Sequence, residues 1–155
     1  AIGLPNFTPE RIRQILDSCE AKPAVHQTEV HPYSQEKELK KFLGKEGIVI
    51  QAWYPLGHGD RKLREEPLFT ELAQKYGKSS SQIILRWHIQ AGNIVIPGSK
   101  NPDHIKANLD LFDFALTDEE MAQIAAMDQQ KRYYTSTPEL LKQYAEMVPP
   151  VDEQK

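Results

Sequence analysis

The segment "GIVIQAW", residues 47–53, is a short and almost uninterrupted apolar run. Runs of this kind are typical of strands whose two faces are both buried, as in parallel sheets. A helical pattern precedes it in "SQEKELKKFLGKEG" (34–47), with Leu39, Phe42 and Leu43 predicted to point inward. Another helix is predicted to open at Pro67 and to stop at Gly77. A strand between two helices favours an α/β fold with a parallel sheet and outer helices.

The same alternation continues on both sides of this segment. Further strands are predicted at "AIGL" (1–4), "AVHQTEV" (24–30) and "NIVIP" (93–97). Each remaining helix has a recognisable start: Thr8 with Pro9, the capping boxes Ser79–Gln82 and Thr117–Glu120, Asn101 with Pro102, and Thr137 with Pro138 in the tail. The predicted order is β-α-β-α-β-α-α-β-α-α, followed by a helix start in the tail.

Composition excludes several classes of protein. The 155 residues predict one domain, and 26% charged with 39% hydrophobic residues is ordinary for a globular protein. A net charge of -3 with mixed signs predicts no nucleic-acid or membrane surface, and no apolar stretch reaches the roughly 20 residues of a membrane span. Cys19 is the only cysteine, which excludes an internal disulfide and favours a reducing, cytoplasmic location. No metal site is predicted.

Polar residues follow every predicted strand. The segments are "PNF" (5–7), "EVHPY" (29–33), "YPLGHGD" (54–60) and "GSKN" (98–101). Parallel sheets place their ligand groups at these carboxyl ends. Ser99, Lys100 and Asn101 also lie at a helix start, where free N–H groups and the helix dipole favour an anion. Asn101 as a simple cap and Lys100 as a solvated charge are the alternative.

Four blocks together resemble the aldo-keto reductases. They are "IGLPNF" (2–7), "HQTEVHPYSQEKEL" (26–39), "IVIQAWYPLG" (48–57) and "VIPGSKNPDHIKANLDLFDFALTDEEM" (95–121). The resemblance implies the C-terminal half of a (β/α)8 TIM barrel over residues 1–128, with 129–155 as a tail on the substrate side. The family's catalytic Asp, Tyr, Lys and His lie on earlier strands, so no catalytic residue is predicted here. His31 and Tyr33 belong to a different block and do not replace them.

The resemblance also implies residues that orient a nicotinamide cofactor, NADP(H) or NAD(H). Asn6 and Gln27 match amides that bind the nicotinamide carboxamide. Trp53 stands where the family has an aromatic residue, usually Tyr, that stacks on the nicotinamide; some bacterial members that reduce sugar-derived ketones have Trp. From the residues alone, Asn6 could cap a turn, Gln27 could be a barrel polar group and Trp53 could be core. Pro5 replaces a family Ser, which removes one hydroxyl contact.

The rest of the cofactor is expected to lie along two further loops. Leu56, His58 and Asp60 match family positions near the pyrophosphate, in a loop predicted over "PLGHGDRKLREE" (55–66). Ser99, Lys100, Asn101 and His104 match the site of the NADPH 2′-phosphate, and Asn108 matches an adenine contact. Gly98 and His104 stand where the family commonly has Lys and Arg, so the usual strong phosphate partners are missing.

The sequence therefore predicts the cofactor-binding half of a reductase that converts aldehydes or ketones to alcohols. The fragment alone is expected to be inactive. Its expected partners are a small carbonyl substrate and either the N-terminal half of the barrel or a second copy of this half. A catalytically silent or truncated barrel, acting as a cofactor-binding or regulatory partner, is the alternative.

Overall fold

The computed structural model describes residues 2–135 and 137–147. Four strands form one parallel sheet in the order β1-β2-β3-β4. The strands are β1 (Gly3–Pro5), β2 (Val25–Glu29), β3 (Val49–Trp53) and β4 (Ile94–Val95). The helices are α1 (Pro9–Ser18), α2 (Lys37–Lys45), α3 (Arg61–Arg64), α4 (Pro67–Tyr76), α5 (Ser80–Gln90), α6 (Pro102–Leu109), α7 (Asp118–Ala125) and α8 (Pro138–Glu146).

The predicted helix starts are confirmed. Thr8 caps α1 with Pro9 inside it, and Asn101 caps α6 with Pro102 inside it. Both capping boxes form, at Ser79–Gln82 and at Thr117–Glu120. α4 begins at Pro67 and ends at Gly77, whose φ of 64° suits glycine. Motifs of this kind are predictable because each uses only four or five consecutive residues.

One element was missed. Residues 55–66 were predicted as a loop, but the second part of this loop contains the short helix α3. Asp60 caps this helix by accepting a hydrogen bond from the backbone of Lys62, and Leu63 is fully buried in the core. A four-residue helix among charged residues leaves no periodic pattern that sequence reasoning could detect.

The two faces of the sheet differ. One face carries Leu4, Ile50 and Ala52, which join the main hydrophobic core together with side chains from the helices. On the other face Val49 and Ile94 are each 40% exposed. The expectation that β3 is buried on both faces is therefore wrong within this chain, because the helices cover only one of them. A sheet open on its second face is what half of a closed barrel would present.

No helix in residues 2–135 and 137–147 is both long and apolar enough to cross a bilayer.

Candidate functional site

The carboxyl ends of three strands bring Asn6, Gln27 and Trp53 together. Asn6 directly follows β1, and its backbone N–H donates to the carbonyl of Gln27 at 2.7 Å. Gln27 is paired in register with Gln51, two residues before Trp53. Because side chains alternate along a strand, Gln27 and Trp53 lie on the same face of the sheet. That face is the open one.

The amide groups of Asn6 and Gln27 are available for a ligand. Asn6 is exposed and has a left-handed backbone with φ 46°, a conformation that Asn tolerates better than most residues. Within the described residues, neither side chain makes a hydrogen bond to the protein. An amide has two donor hydrogens and one acceptor oxygen. The two side chains therefore fit the carboxamide of a nicotinamide.

Trp53 forms a flat aromatic surface beside these amides. Its ring is half-buried and stacks on Tyr54, with centroids 3.9 Å apart and planes 21° apart. Tyr134 from the tail approaches the same indole at 5.1 Å and 76°. Tyr54 thus covers one face of the indole. Sequence reasoning missed this contact; Tyr54 has a left-handed φ of 54°, which nothing in the sequence indicates.

The next segment, residues 54–60, is held by contacts to the hydrophobic core and to the tail. The side chain of Leu56 is partly buried and packs against the hydrophobic core. His58 is exposed, with its ring 4.2 Å from that of Tyr54. Asp60 accepts a hydrogen bond from the Tyr133 hydroxyl at 2.6 Å. That bond is the main reason why the pKa of Asp60 is lowered.

A buried histidine fixes the start of this segment. The Nε2 of His88 lies 3.1 Å from the carbonyl of Pro55, and its Nδ1 lies 3.2 Å from the amide nitrogen of Asn93. Burial lowers the pKa of His88 to about 3, so the ring is neutral at physiological pH. With Nδ1 accepting from Asn93, Nε2 carries the proton and donates to Pro55.

The start of α6 is exposed, and only some of its polar groups make hydrogen bonds within the protein. The Asn101 side chain accepts from the backbone of Asp103 at 2.9 Å, and Ser99 Oγ accepts from the backbone of Asn101 at 3.0 Å. Asn101 is therefore a helix cap, whatever else it binds. Lys100 and His104 are exposed beside it. The carboxylate of Asp103, in the first turn, competes with any bound anion for the helix dipole; sequence reasoning overlooked it.

Asn108, in the last turn of α6, is half-buried. Its amide nitrogen donates to the carbonyl of Pro97 at 3.4 Å, which leaves its oxygen to accept from a ligand. In the described part of the chain, no hydrogen bond or ion pair joins residues 54–60 to residues 98–108. The predicted site therefore consists of an aromatic and amide part on β1–β3 and a separate helix start after β4.

The segment "EVHPY" has a structural role that was not predicted. Glu29 is fully buried and accepts hydrogen bonds from His31 Nε2 at 2.9 Å and from the backbone of Tyr133 and Tyr134 at 2.6 and 2.9 Å. The hydroxyl of Tyr33 donates to Glu66. Burial lowers the pKa of His31. Both side chains excluded as catalytic groups are thus buried and bonded within the protein. Such contacts between residues about a hundred positions apart leave no local signal in the sequence.

Over the described ranges, no group of three or more His, Cys, Asp or Glu side chains could hold a metal ion.

The comparisons with known proteins agree with this architecture. The model of the aldo/keto reductase family matches residues 1–129. The chain is 43% identical over 132 residues to an aldo-keto reductase of Mycobacterium sp. (strain JLS), which covers 85% of this chain and 47% of the relative. It is 41% identical over 139 residues to morphine 6-dehydrogenase of Pseudomonas putida. That alignment covers 83% of this chain and 47% of the relative.

Solved structures show the same likeness in three dimensions. A mutant of Gox0644 in complex with NADPH superposes on this chain with a TM-score of 0.83 at 36% identity. The superposition covers 90% of this chain and 51% of the Gox0644 chain. An aldo/keto reductase from Brucella melitensis gives a TM-score of 0.77 at 43% identity, with 83% and 48% covered. The chain thus spans about half the length of the relatives that it matches, and its four strands correspond to half of a (β/α)8 barrel. On this evidence the chain belongs to the aldo/keto reductase family.

Proposed function

We propose that this chain is the cofactor-binding half of an NAD(P)H-dependent oxidoreductase that reduces aldehydes or ketones to alcohols. One observation carries the proposal: the side-chain amides of Asn6 and Gln27, which make no hydrogen bond to any described residue, lie beside the half-buried indole of Trp53 at the carboxyl edge of the sheet. The structure of the Gox0644 mutant, which resembles this chain, is a complex with NADPH. The division into a barrel half (1–128) and a tail (129–155) and the cytoplasmic location stay predictions.

Each residue has a defined task at the nicotinamide end. The cofactor supplies the hydride that reduces the carbonyl carbon. Asn6 and Gln27 bond the carboxamide group and so prevent the ring from rotating. The indole of Trp53 covers one face of that ring, which restricts the substrate to the opposite face. Positioning of this kind lowers the barrier because the reacting atoms are already oriented.

The remaining residues hold the phosphates and the adenosine. The backbone around Leu56 and the side chains of His58 and Asp60 border the pyrophosphate. The start of α6 faces the 2′-phosphate, with donors and positive charge from Ser99, Lys100, Asn101 and His104. Asn108 accepts from the adenine amino group through the oxygen that its bond to Pro97 leaves free.

We propose that the proton that completes the reduction comes from outside this chain. The Tyr33 hydroxyl donates to Glu66, and that of Tyr133 donates to Asp60. Burial and these carboxylates raise the pKa of both phenols above the ordinary value of tyrosine, so neither hydroxyl releases its proton readily. The partner that we propose is the first half of the barrel, which would carry the proton donor. A second copy of this half would close the sheet without supplying one.

Cofactor contact at Trp53 can be tested in a protein that contains the whole barrel. Oxidised cofactor should quench the tryptophan emission, because its nicotinamide stacks on the indole. Trp53→Phe should lose that quenching. Trp87→Phe is the matched control: Trp87 is the only other tryptophan and is 4% exposed in the core, so this variant should retain it. Quenching that survives in Trp53→Phe and disappears in Trp87→Phe would contradict the proposed site.

The silent-partner alternative is tested by turnover. The whole barrel should oxidise NADPH or NADH when a reactive aldehyde such as a nitrobenzaldehyde is added. Tight cofactor binding with no turnover across aldehydes and ketones would favour a cofactor-binding regulatory partner instead.

A further inference from the structure

Tyr133 lies where the tail meets the segment that borders the proposed pyrophosphate site. Its backbone N–H donates to Glu29 Oε1 at 2.6 Å, and the next N–H, that of Tyr134, donates to Glu29 Oε2 at 2.9 Å. Glu29 ends β2 and is fully buried. Both of its oxygens are thus used to attach the tail to the sheet. Charge-assisted bonds to a buried carboxylate are among the stronger hydrogen bonds in proteins.

The side chain of Tyr133 then reaches residues 54–60. Its hydroxyl donates to Asp60 Oδ2 at 2.6 Å. Its ring passes so close to Gly57 that a Cβ added there would lie 3.4 Å from the ring and from the hydroxyl oxygen. His31 supports the ring from another side, with centroids 4.8 Å apart. One tyrosine therefore connects the sheet, the tail and both ends of the turn from Gly57 to Asp60.

Asp60 links the contact with Tyr133 to the backbone conformation of residues 54–60. The same carboxylate caps α3 through the backbone of Lys62 at 2.8 Å. The backbone N–H of Asp60 donates to Gly57, and that of Gly57 donates to Tyr54, both at 2.8 Å. Gly57 has φ +69°, and a Cβ added to it would lie 2.6 Å from Leu63 of α3, so the turn packs closely against that helix. The Tyr133 hydroxyl is the contact on its other side.

We propose that Tyr133 is a positioning residue that clips residues 54–60 in the conformation that retains the cofactor. The inference rests on the proposed function, since it assumes that this segment borders the pyrophosphate. Departure of the cofactor would require the segment to open, and opening would break the bond between Tyr133 and Asp60. The tail and the cofactor would then stabilise each other's order, because coupling between two sites is reciprocal.

The test is Tyr133→Phe in a protein that contains the whole barrel. The variant retains the ring against Gly57 and removes only the hydroxyl. NADPH dissociation, followed by stopped-flow fluorescence, should become about tenfold faster, the effect of losing one hydrogen bond to a charged group at a half-buried site. Association should change far less, because such losses act mainly on dissociation. Hydrogen exchange at the amides of Gly57 and Asp60 should accelerate as well.

Tyr76→Phe is the matched control. The Tyr76 hydroxyl also donates to a carboxylate, that of Glu120, at 2.6 Å, but on α4 and α7 and away from residues 54–60. It should leave NADPH dissociation unchanged, even if it lowers the melting temperature as much as Tyr133→Phe does. If Tyr133→Phe releases NADPH at the parental rate, or leaves the exchange of Gly57 and Asp60 unchanged, the clip does not exist. If the parent does not bind NADPH at all, the proposed function fails; the exchange measurement then still decides whether Tyr133 holds the segment.

Discussion

The choice between NADPH and NADH should respond to two substitutions at the start of α6, Gly98→Lys and His104→Arg. The two cofactors differ by one phosphate with nearly two negative charges. Gly98 has no atom within 4 Å of the position of an added Cβ, and its φ is not in the left-handed region. His104 is exposed in the first turn of α6. Both longer side chains can therefore be added without displacing any neighbour.

The expected size follows from the exposure of the site. A hydrogen bond to a charged group contributes about 1.5–3 kcal/mol when it is well formed. Because solvent screens both positions, and because Asp103 adds a negative charge in the same turn, we expect about 1 kcal/mol from each substitution. Together they should raise the ratio of NADPH to NADH affinity roughly 30-fold. NADH affinity itself should change little, since that cofactor has only an uncharged 2′-hydroxyl at this site.

The measurement is a fluorescence titration of both cofactors against a protein that contains the whole barrel and its double variant. Gly44→Lys serves as a control for added charge: Gly44 is exposed on α2 and also has no atom within 4 Å of an added Cβ. This variant should leave the affinity ratio where it was. The parent is expected to use NADH well, with a modest NADPH preference. A parent that already prefers NADPH a thousandfold, or a double variant with an unchanged ratio, would refute the assignment of this site.

Three further outcomes are expected. The 155-residue chain alone should not reduce aldehydes with NADPH or NADH, since a placed proton donor is worth ~10²–10⁴-fold; turnover near that of an ordinary reductase would mean that a catalytic group has been overlooked. The same chain should pair or aggregate in light scattering, because Leu109 and Phe112 are 73% and 72% exposed and β4 is an open edge; a monodisperse monomer of 17.7 kDa would contradict this. The free energy of unfolding of a protein that contains the whole barrel should fall as pH drops from 7 to 5.5. The pKa of His88 is lowered to about 3, so below about pH 6.5 the unfolded chain binds a proton that the folded chain does not bind. The loss approaches ~1.4 kcal/mol per pH unit. His88→Gln should reduce this slope in urea unfolding of a protein that contains the whole barrel. Part of the slope should remain, because burial also lowers the pKa of His26 and of His31.

Local signals in the sequence were sufficient for most helices and for the sheet. Capping boxes, Pro in the first turn and terminal Gly act within one turn of helix, so Ser79, Thr117 and Gly77 could be assigned without knowledge of the fold. The parallel sheet followed from strands separated by helices. The site was different, because residues alone left Asn6 and Gln27 open to ordinary structural roles. Their selection depended on the resemblance to a family.

The contacts that the sequence did not predict are the long-range ones. The attachment of Tyr133 to Glu29 and Asp60 joins residues 104 and 73 positions apart. Nothing in "KRYYT" (131–135) indicates where that segment folds back. Glu29 looked like one polar residue after a strand, and only its burial with both oxygens bonded identifies it as an anchor. Sequence reasoning was thus accurate where structure is local and incomplete where the tail completes the site.

The apolar pattern of β3 also contains information about a partner. The segment predicted a strand buried on both faces, yet Val49 on the second face is 40% exposed, as is Ile94 on the neighbouring strand. Isolated exposed apolar residues need no explanation, but these lie on one sheet face that also carries the amides of Gln27 and Gln51. In a closed barrel this face would become the interior, where Val and Ile pack in layers. We therefore infer that the sequence of β3 is adapted to a barrel in which other strands cover that face. Gln27 would then act in a confined interior, where a hydrogen bond to a carboxamide is stronger than at an open surface.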